Sequence, residues 1–93
     1  MGKTIAQIPE DDRPREKLLR KGACVLSDQE LLAVLLGKGT ASMDVMTLAA
    51  KLVRLMDEKG LHVTANDLTQ FDGVGDAKAT LVLAAIEFAR RRI

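Results

Sequence analysis

The sequence predicts an all-α domain, a compact bundle of about five helices whose last two are joined by a glycine hairpin. Three observations carry that expectation. Apolar residues recur at three- and four-residue spacing, most clearly at Val45, Leu48, Ala49, Leu52, Leu55 and Met56, with Thr47, Lys51, Arg54 and Glu58 on the opposite side. No segment shows the strict alternation of a half-buried strand. Between the periodic stretches stand capping residues on one side and glycines on the other, the punctuation expected of helices.

Taken in order, residues 1–12 have no helical period, and they contain Pro9 and the acidic cluster Glu10-Asp11-Asp12. They read as an extended, flexible N-terminal arm, with the helical domain spanning 13–93. Pro14 suits the first turn of a helix and Gly22 suits its end. Between them Arg13, Arg15, Lys17, Arg20 and Lys21 surround Leu18 and Leu19, the densest basic stretch in the chain. A solvated helix face is the commoner meaning of such a run, and the acidic arm beside it can neutralise it. Ser27 followed three residues later by Glu30 is a capping box, with Leu26 placed to staple onto Leu31. It opens an apolar helix, Leu31 to Leu36, expected to be central and to end at Gly37-Lys38-Gly39. Asp44 caps the amphipathic helix that follows, and Gly60 closes it. Thr64 with Asp67 is a weaker capping pair for a short fourth helix.

That helix enters Phe71-Asp72-Gly73-Val74-Gly75-Asp76-Ala77-Lys78, and a long helix then runs to Arg92. Two glycines flanking one aliphatic residue suit a tight bend, because glycine reaches angles closed to other residues and lets another group approach the backbone. Val74 can tuck between the helices as a plug, and Ala77 is expected to let the second helix pack closely. The first turn of that helix leaves N–H groups unpartnered, at the positive end of the helix dipole, which suits a phosphate oxygen. This is the pattern of the helix-hairpin-helix motif, which grips nucleic-acid backbones without reading sequence. The plainer reading of Gly-x-Gly between helices is a turn and no more. Lys78 favours the phosphate reading; Asp76 opposes it, since its carboxylate competes for the same N–H groups. Glu30-Leu31 through Gly37-Lys38-Gly39 to Leu48-Ala49-Ala50 echoes Asp67-Leu68 through Gly73-Val74-Gly75 to Leu83-Ala84-Ala85. It reads as a degenerate first hairpin or as a coincidence of a Leu/Ala-rich chain.

Composition bounds the function. Ninety-three residues make one small domain, and a net charge of +1 supplies no global basic field, so any nucleic-acid binding must come from local clustering. With Phe71 and Phe88 the only aromatics, the core is aliphatic. Cys24 is the sole cysteine and His62 the sole histidine. A disulfide within the chain is therefore excluded, and neither a metal site nor a cofactor is expected. Cys24 reads as a small core residue, His62 as a loop or helix-edge residue. There is no membrane-length apolar run and no signal-peptide profile, so the expected location is the cytoplasm.

Arg13-Pro14-Arg15-Glu16-Lys17-Leu18-Leu19, Gly22 and Leu26-Ser27-Asp28-Gln29-Glu30-Leu31-Leu32-Ala33-Val34-Leu35-Leu36 together resemble the N-terminal domain of the bacterial RadC family. Gly39-Thr40, Leu48-Ala49, the run Gly73 to Ala79, Glu87 and Arg90-Arg91 continue the resemblance over nearly the whole chain beyond the arm. It implies a helical domain that precedes a JAB/MPN-type domain with a zinc-metallopeptidase signature. That second domain is absent from these 93 residues, and zinc is expected only there; His62 sits in no such motif. The chain then reads as an N-terminal fragment of a DNA repair protein, with its own C-terminal domain as a partner. The function expected is non-catalytic, sequence-independent DNA binding. Gly73, Val74 and Gly75 shape the turn, the backbone from Gly75 through Asp76 and Ala77 to Lys78 meets phosphate, and the basic first helix forms a secondary patch. The alternative is a protein–protein interaction or regulatory module for the C-terminal domain. An enzyme on this stretch alone lacks a convergent nucleophile, base and orienting group.

Overall fold

The computed structural model describes residues 4–93. Among these residues five α-helices follow one another: α1 Pro14–Lys21, α2 Asp28–Leu36, α3 Val45–Lys59, α4 Ala65–Thr69 and α5 Asp76–Arg92. Short 3-10 turns lie at Ile5–Gln7, Glu10–Asp12, Ala23–Val25 and Gly60–His62. Among the described residues there is no strand, and one isolated antiparallel bridge joins Thr40 to Met43. The all-α bundle expected from the periodicity is what the chain forms.

The helix ends follow local chemistry. Ser27 accepts from the Glu30 N–H at 3.2 Å while the Glu30 carboxylate accepts from the Ser27 N–H at 2.9 Å, a reciprocal box that closes the start of α2. Thr64 and Asp67 do the same for α4 at 3.0 and 3.1 Å. Asp44 caps α3 by accepting from the Met46 N–H at 2.9 Å. Pro14 occupies the first helical position of α1, where no N–H is missed.

The core is aliphatic. Leu32, Ala33 and Leu36 of α2 meet Leu48, Ala49 and Leu52 of α3, and Val63, Leu68, Val74, Ala79 and Val82 complete the cluster. Leu48, Leu52 and Leu68 are fully buried. The α2–α3 pair is the largest helix–helix contact, and α5 packs on both α4 and α2. The Gln29 side-chain amide donates to the Met46 carbonyl at 2.9 Å, fixing α2 against the start of α3. Leu35 points outward, 46% exposed, so α2 is central on one face rather than all round.

Residues 4–12 are not an extended arm. They form two 3-10 turns, Ile5 and Ile8 pack against the core, and the Ile5 N–H donates to the Asp44 carboxylate at 3.2 Å. Spacing could not reveal this, because a 3-10 turn is too short to show a period; residues 1–3 of that arm lie outside the described residues. Cys24 is exposed, not core, because the 3-10 turn at Ala23–Val25 runs along the surface between α1 and α2. His62 is exposed in its turn at the end of α3.

Candidate functional site

The hairpin between α4 and α5 is built from three residues with separate tasks. The Val74 N–H donates to the Phe71 carbonyl at 3.0 Å, closing the turn. The Val74 side chain is buried at 5% exposure, and Phe71 packs against the same core. Gly73 has φ of 83°, a left-handed conformation in which a side chain is strained. A Cβ there would also lie 2.6 Å from the Thr40 Cβ of the α2–α3 loop. Gly75 is different: its φ of −98° and ψ of −165° are open to any residue, and a Cβ there would meet nothing within 4 Å. The fold requires Gly73, whereas at Gly75 it leaves an open approach.

Gly75 is also the N-cap of α5, and α5 has no side-chain cap. By contrast Ser27, Asp44 and Thr64 close α2, α3 and α4 with their own oxygens. The Asp76 carboxylate accepts no hydrogen bond from the first turn of α5, so the competition expected of it is not realised among the described residues. Ala77 is exposed, and the close packing assigned to it from sequence belongs to Ala79, at 3% exposure. The error was one of phase, two positions along a helix whose buried side starts later than the hairpin suggested. Lys78 is half-buried and forms no ion pair among the described residues.

The basic helix α1 is partly spent. Lys17 pairs with Glu30 at 3.0 Å, Arg20 with Asp11 at 2.8 Å, and the Arg13 Nε donates to the Ile8 carbonyl at 3.2 Å. The Ser27 N–H and the Lys17 ammonium hold the Glu30 carboxyl below its ordinary range. Arg15 and Lys21 are exposed and form no ion pair among the described residues. At the other end of the chain Glu87 takes Arg90 and Arg91 at 2.8 Å each, and Arg92 lies 4.8 Å from the centre of the Phe88 ring.

The sequence did not foretell how closely the two glycine loops pack. The Ser42 Oγ donates to the Asp72 carboxylate at 3.3 Å, and Thr40 fills the space that the bare Gly73 leaves. Each loop holds a glycine of positive φ: Gly37, at 78°, directly after α2, and Gly73, at 83°, within the turn that follows Gln70. The two loops also differ in how the next helix starts: Asp44 caps α3, whereas α5 has no side-chain cap.

These features define an all-helical domain with a buried plug and an open glycine cap. The chain belongs to the family described as UPF0758 N-terminal, which matches residues 5–80. A UPF0758 protein of Geotalea uraniireducens is 46% identical over 91 residues, 94% of this chain and 40% of that one. One of Carboxydothermus hydrogenoformans is 48% identical over 93 residues, covering 98% of this chain and 41% of the relative. One of Methanospirillum hungatei is 39% identical over 89 residues, 96% of this chain and 39% of the relative. The chain thus spans about two fifths of the length of the curated relatives it matches. No solved structure matches it significantly. No helix among the described residues is long and apolar enough to cross a membrane.

Proposed function

We propose that this domain is a non-catalytic module that binds nucleic-acid backbone without reading sequence. The observation that carries the reading is the start of α5, where N–H groups without a side-chain cap face an unobstructed approach across Gly75, beside Lys78. A phosphate oxygen is the group such an arrangement accepts. In a longer RadC-like protein of DNA repair, the module would place a following JAB/MPN-type domain on its substrate. A helix-hairpin-helix grip engages the common feature of all sequences, so it suits a positioning role.

The test is a salt titration of duplex DNA binding. Two or three phosphates at one hairpin give a log–log slope of roughly −2 to −3 and a Kd no tighter than about 10⁻⁶ M at physiological salt. Lys78→Ala lowers the slope by about one. Gly75→Val abolishes binding by filling the approach. Its cost in stability stays near 1 kcal/mol, the loss of a favourable cap residue, because the new side chain meets nothing inside the fold. A folded chain that fails to bind DNA even at low salt, where surface charge acts most strongly, overturns the reading. Recruitment of a protein partner by the same hairpin then becomes the better account.

A further inference from the structure

The hairpin alone is a poor electrostatic trap. Asp72 and Asp76 are exposed on it, against a single ammonium at Lys78. A polyanion drawn to this end of the molecule therefore needs positive charge from somewhere adjacent. The structure has such a place. A cleft of about 1130 Å³ lies between α1 and the α2–α3 loop. Thr40 and Ser42 of that loop line the cleft, and the same two residues meet the hairpin, Ser42 bonding to Asp72 and Thr40 packing on Gly73, so the rim of the cleft abuts the hairpin.

Arg15 on α1 and Lys38 on the loop both line the cleft, are both exposed, and form no ion pair among the described residues. Leu19, 74% exposed, with the half-buried Leu18 and Val34, lines it with apolar surface over the buried Pro14 and Ala33. Two carboxylates also border it. The Asp44 carboxylate already accepts from the Ile5 and Met46 N–H groups, which leaves Glu16 beside the cleft and Asp72, bonded to Ser42 at the hairpin end of the path, as the opposing charges. An apolar lining with cations and hydroxyls along it suits a chain that has a charged backbone and flat, weakly hydrated side groups. In a duplex those groups are stacked away inside, whereas a single strand presents them.

We propose that this cleft is a single-strand groove, in which one nucleic-acid strand runs from the α5 start past Thr40 and Ser42 to Lys38 and Arg15, with bases against the apolar lining. The inference rests on the nucleic-acid reading of the hairpin and extends it to a substrate class. Duplex DNA reaches the hairpin alone; a single strand reaches hairpin and cleft together.

The experiment is a salt titration of the whole chain by fluorescence anisotropy, with a labelled oligothymidylate of about 12 nucleotides, within the range that small single-strand modules cover, and with a duplex of the same length. The expected result is a steeper slope for the single strand than hairpin contacts alone produce. Arg15→Ala with Lys38→Ala then reduces the single-strand slope by about 1.4, or 0.7 per lost contact, and leaves the duplex slope unchanged. The control pair Lys51→Ala with Arg54→Ala removes the same charge from exposed positions that do not line the cleft, and it moves neither slope by more than a few tenths. If the cleft pair does no more than the control while Lys78→Ala still lowers the slope, the groove is overturned and the hairpin reading stands. If wild type binds neither probe, both fall together. Circular dichroism melts of each variant accompany the titrations; the side chains of the cleft pair and the control pair are all exposed, and the melt of Lys78→Ala checks the fold at the half-buried position.

Discussion

At the scale of single residues, the two glycines of the hairpin look interchangeable in the sequence and are not. Gly73 answers to the fold: its positive φ and the Thr40 side chain 2.6 Å from a would-be Cβ leave no room for alanine. Gly73→Ala is expected to cost about 1–3 kcal/mol through backbone strain and overpacking. In a domain of this size that lowers Tm by several degrees or more, read by a thermal melt. Gly75→Ala, in ordinary extended geometry with open space ahead, is expected to shift Tm by far less. If the two melts coincide, this division of labour is wrong. Gly-x-Gly was legible as a turn; which glycine serves the turn and which faces outward was not, because the difference lies in a loop 30 residues away that touches one and not the other.

At the scale of elements, caps carry much of the definition. The Ser27–Glu30 box spans only four residues, yet Glu30 also takes the Lys17 ammonium, so one carboxylate joins the start of α2 to α1. Ser27→Ala removes the acceptor of the Glu30 N–H, and about 1 kcal/mol of stability is expected to go with it. That corresponds to roughly 4–8 °C in Tm for a domain of this size. Each cap at Ser27, Asp44 and Thr64 was readable from side-chain type and spacing alone, since capping is local chemistry. The 3-10 turns of residues 4–12 were not readable, because Ile5 and Ile8 take their positions from α3 and the core.

At the scale of the whole molecule, three carboxylates link stability to pH. The Ser27 N–H lowers Glu30, the Thr64 N–H lowers Asp67, and Arg90 with Arg91 lowers Glu87. A carboxylate with a depressed folded pKa binds fewer protons in the folded chain than in the unfolded one, so stability rises with pH across that interval. Its contribution is complete above the ordinary values of 4.5 for Glu and 3.8 for Asp, and it is lost as pH falls through the lower folded values. Thermal melts between pH 7 and pH 3 are therefore expected to be flat above about pH 5.5 and to fall below about pH 4.5. Glu30→Gln should lie below wild type at neutral pH and show a shallower acid decline. A Tm that climbs on acidification would contradict the pairing.

What the sequence determined by itself is whatever depends on a few neighbouring residues: helices from apolar spacing, their starts from caps, the hairpin from Gly73-Val74-Gly75, the plug from Val74. The tertiary structure alone decided which charges are spent, with Lys17 on Glu30 and Arg20 on Asp11, and which form no ion pair among the described residues, with Arg15, Lys38 and Lys78. It also decided that Ser42 and Asp72, thirty residues apart, lie side by side, and that Thr40 and Ser42 also line a cleft beside α1. The reason is physical. Backbone conformation answers to contacts within about one helical turn, whereas the pairing of a charge or the walls of a cleft depends on how separate helices close over a shared apolar core.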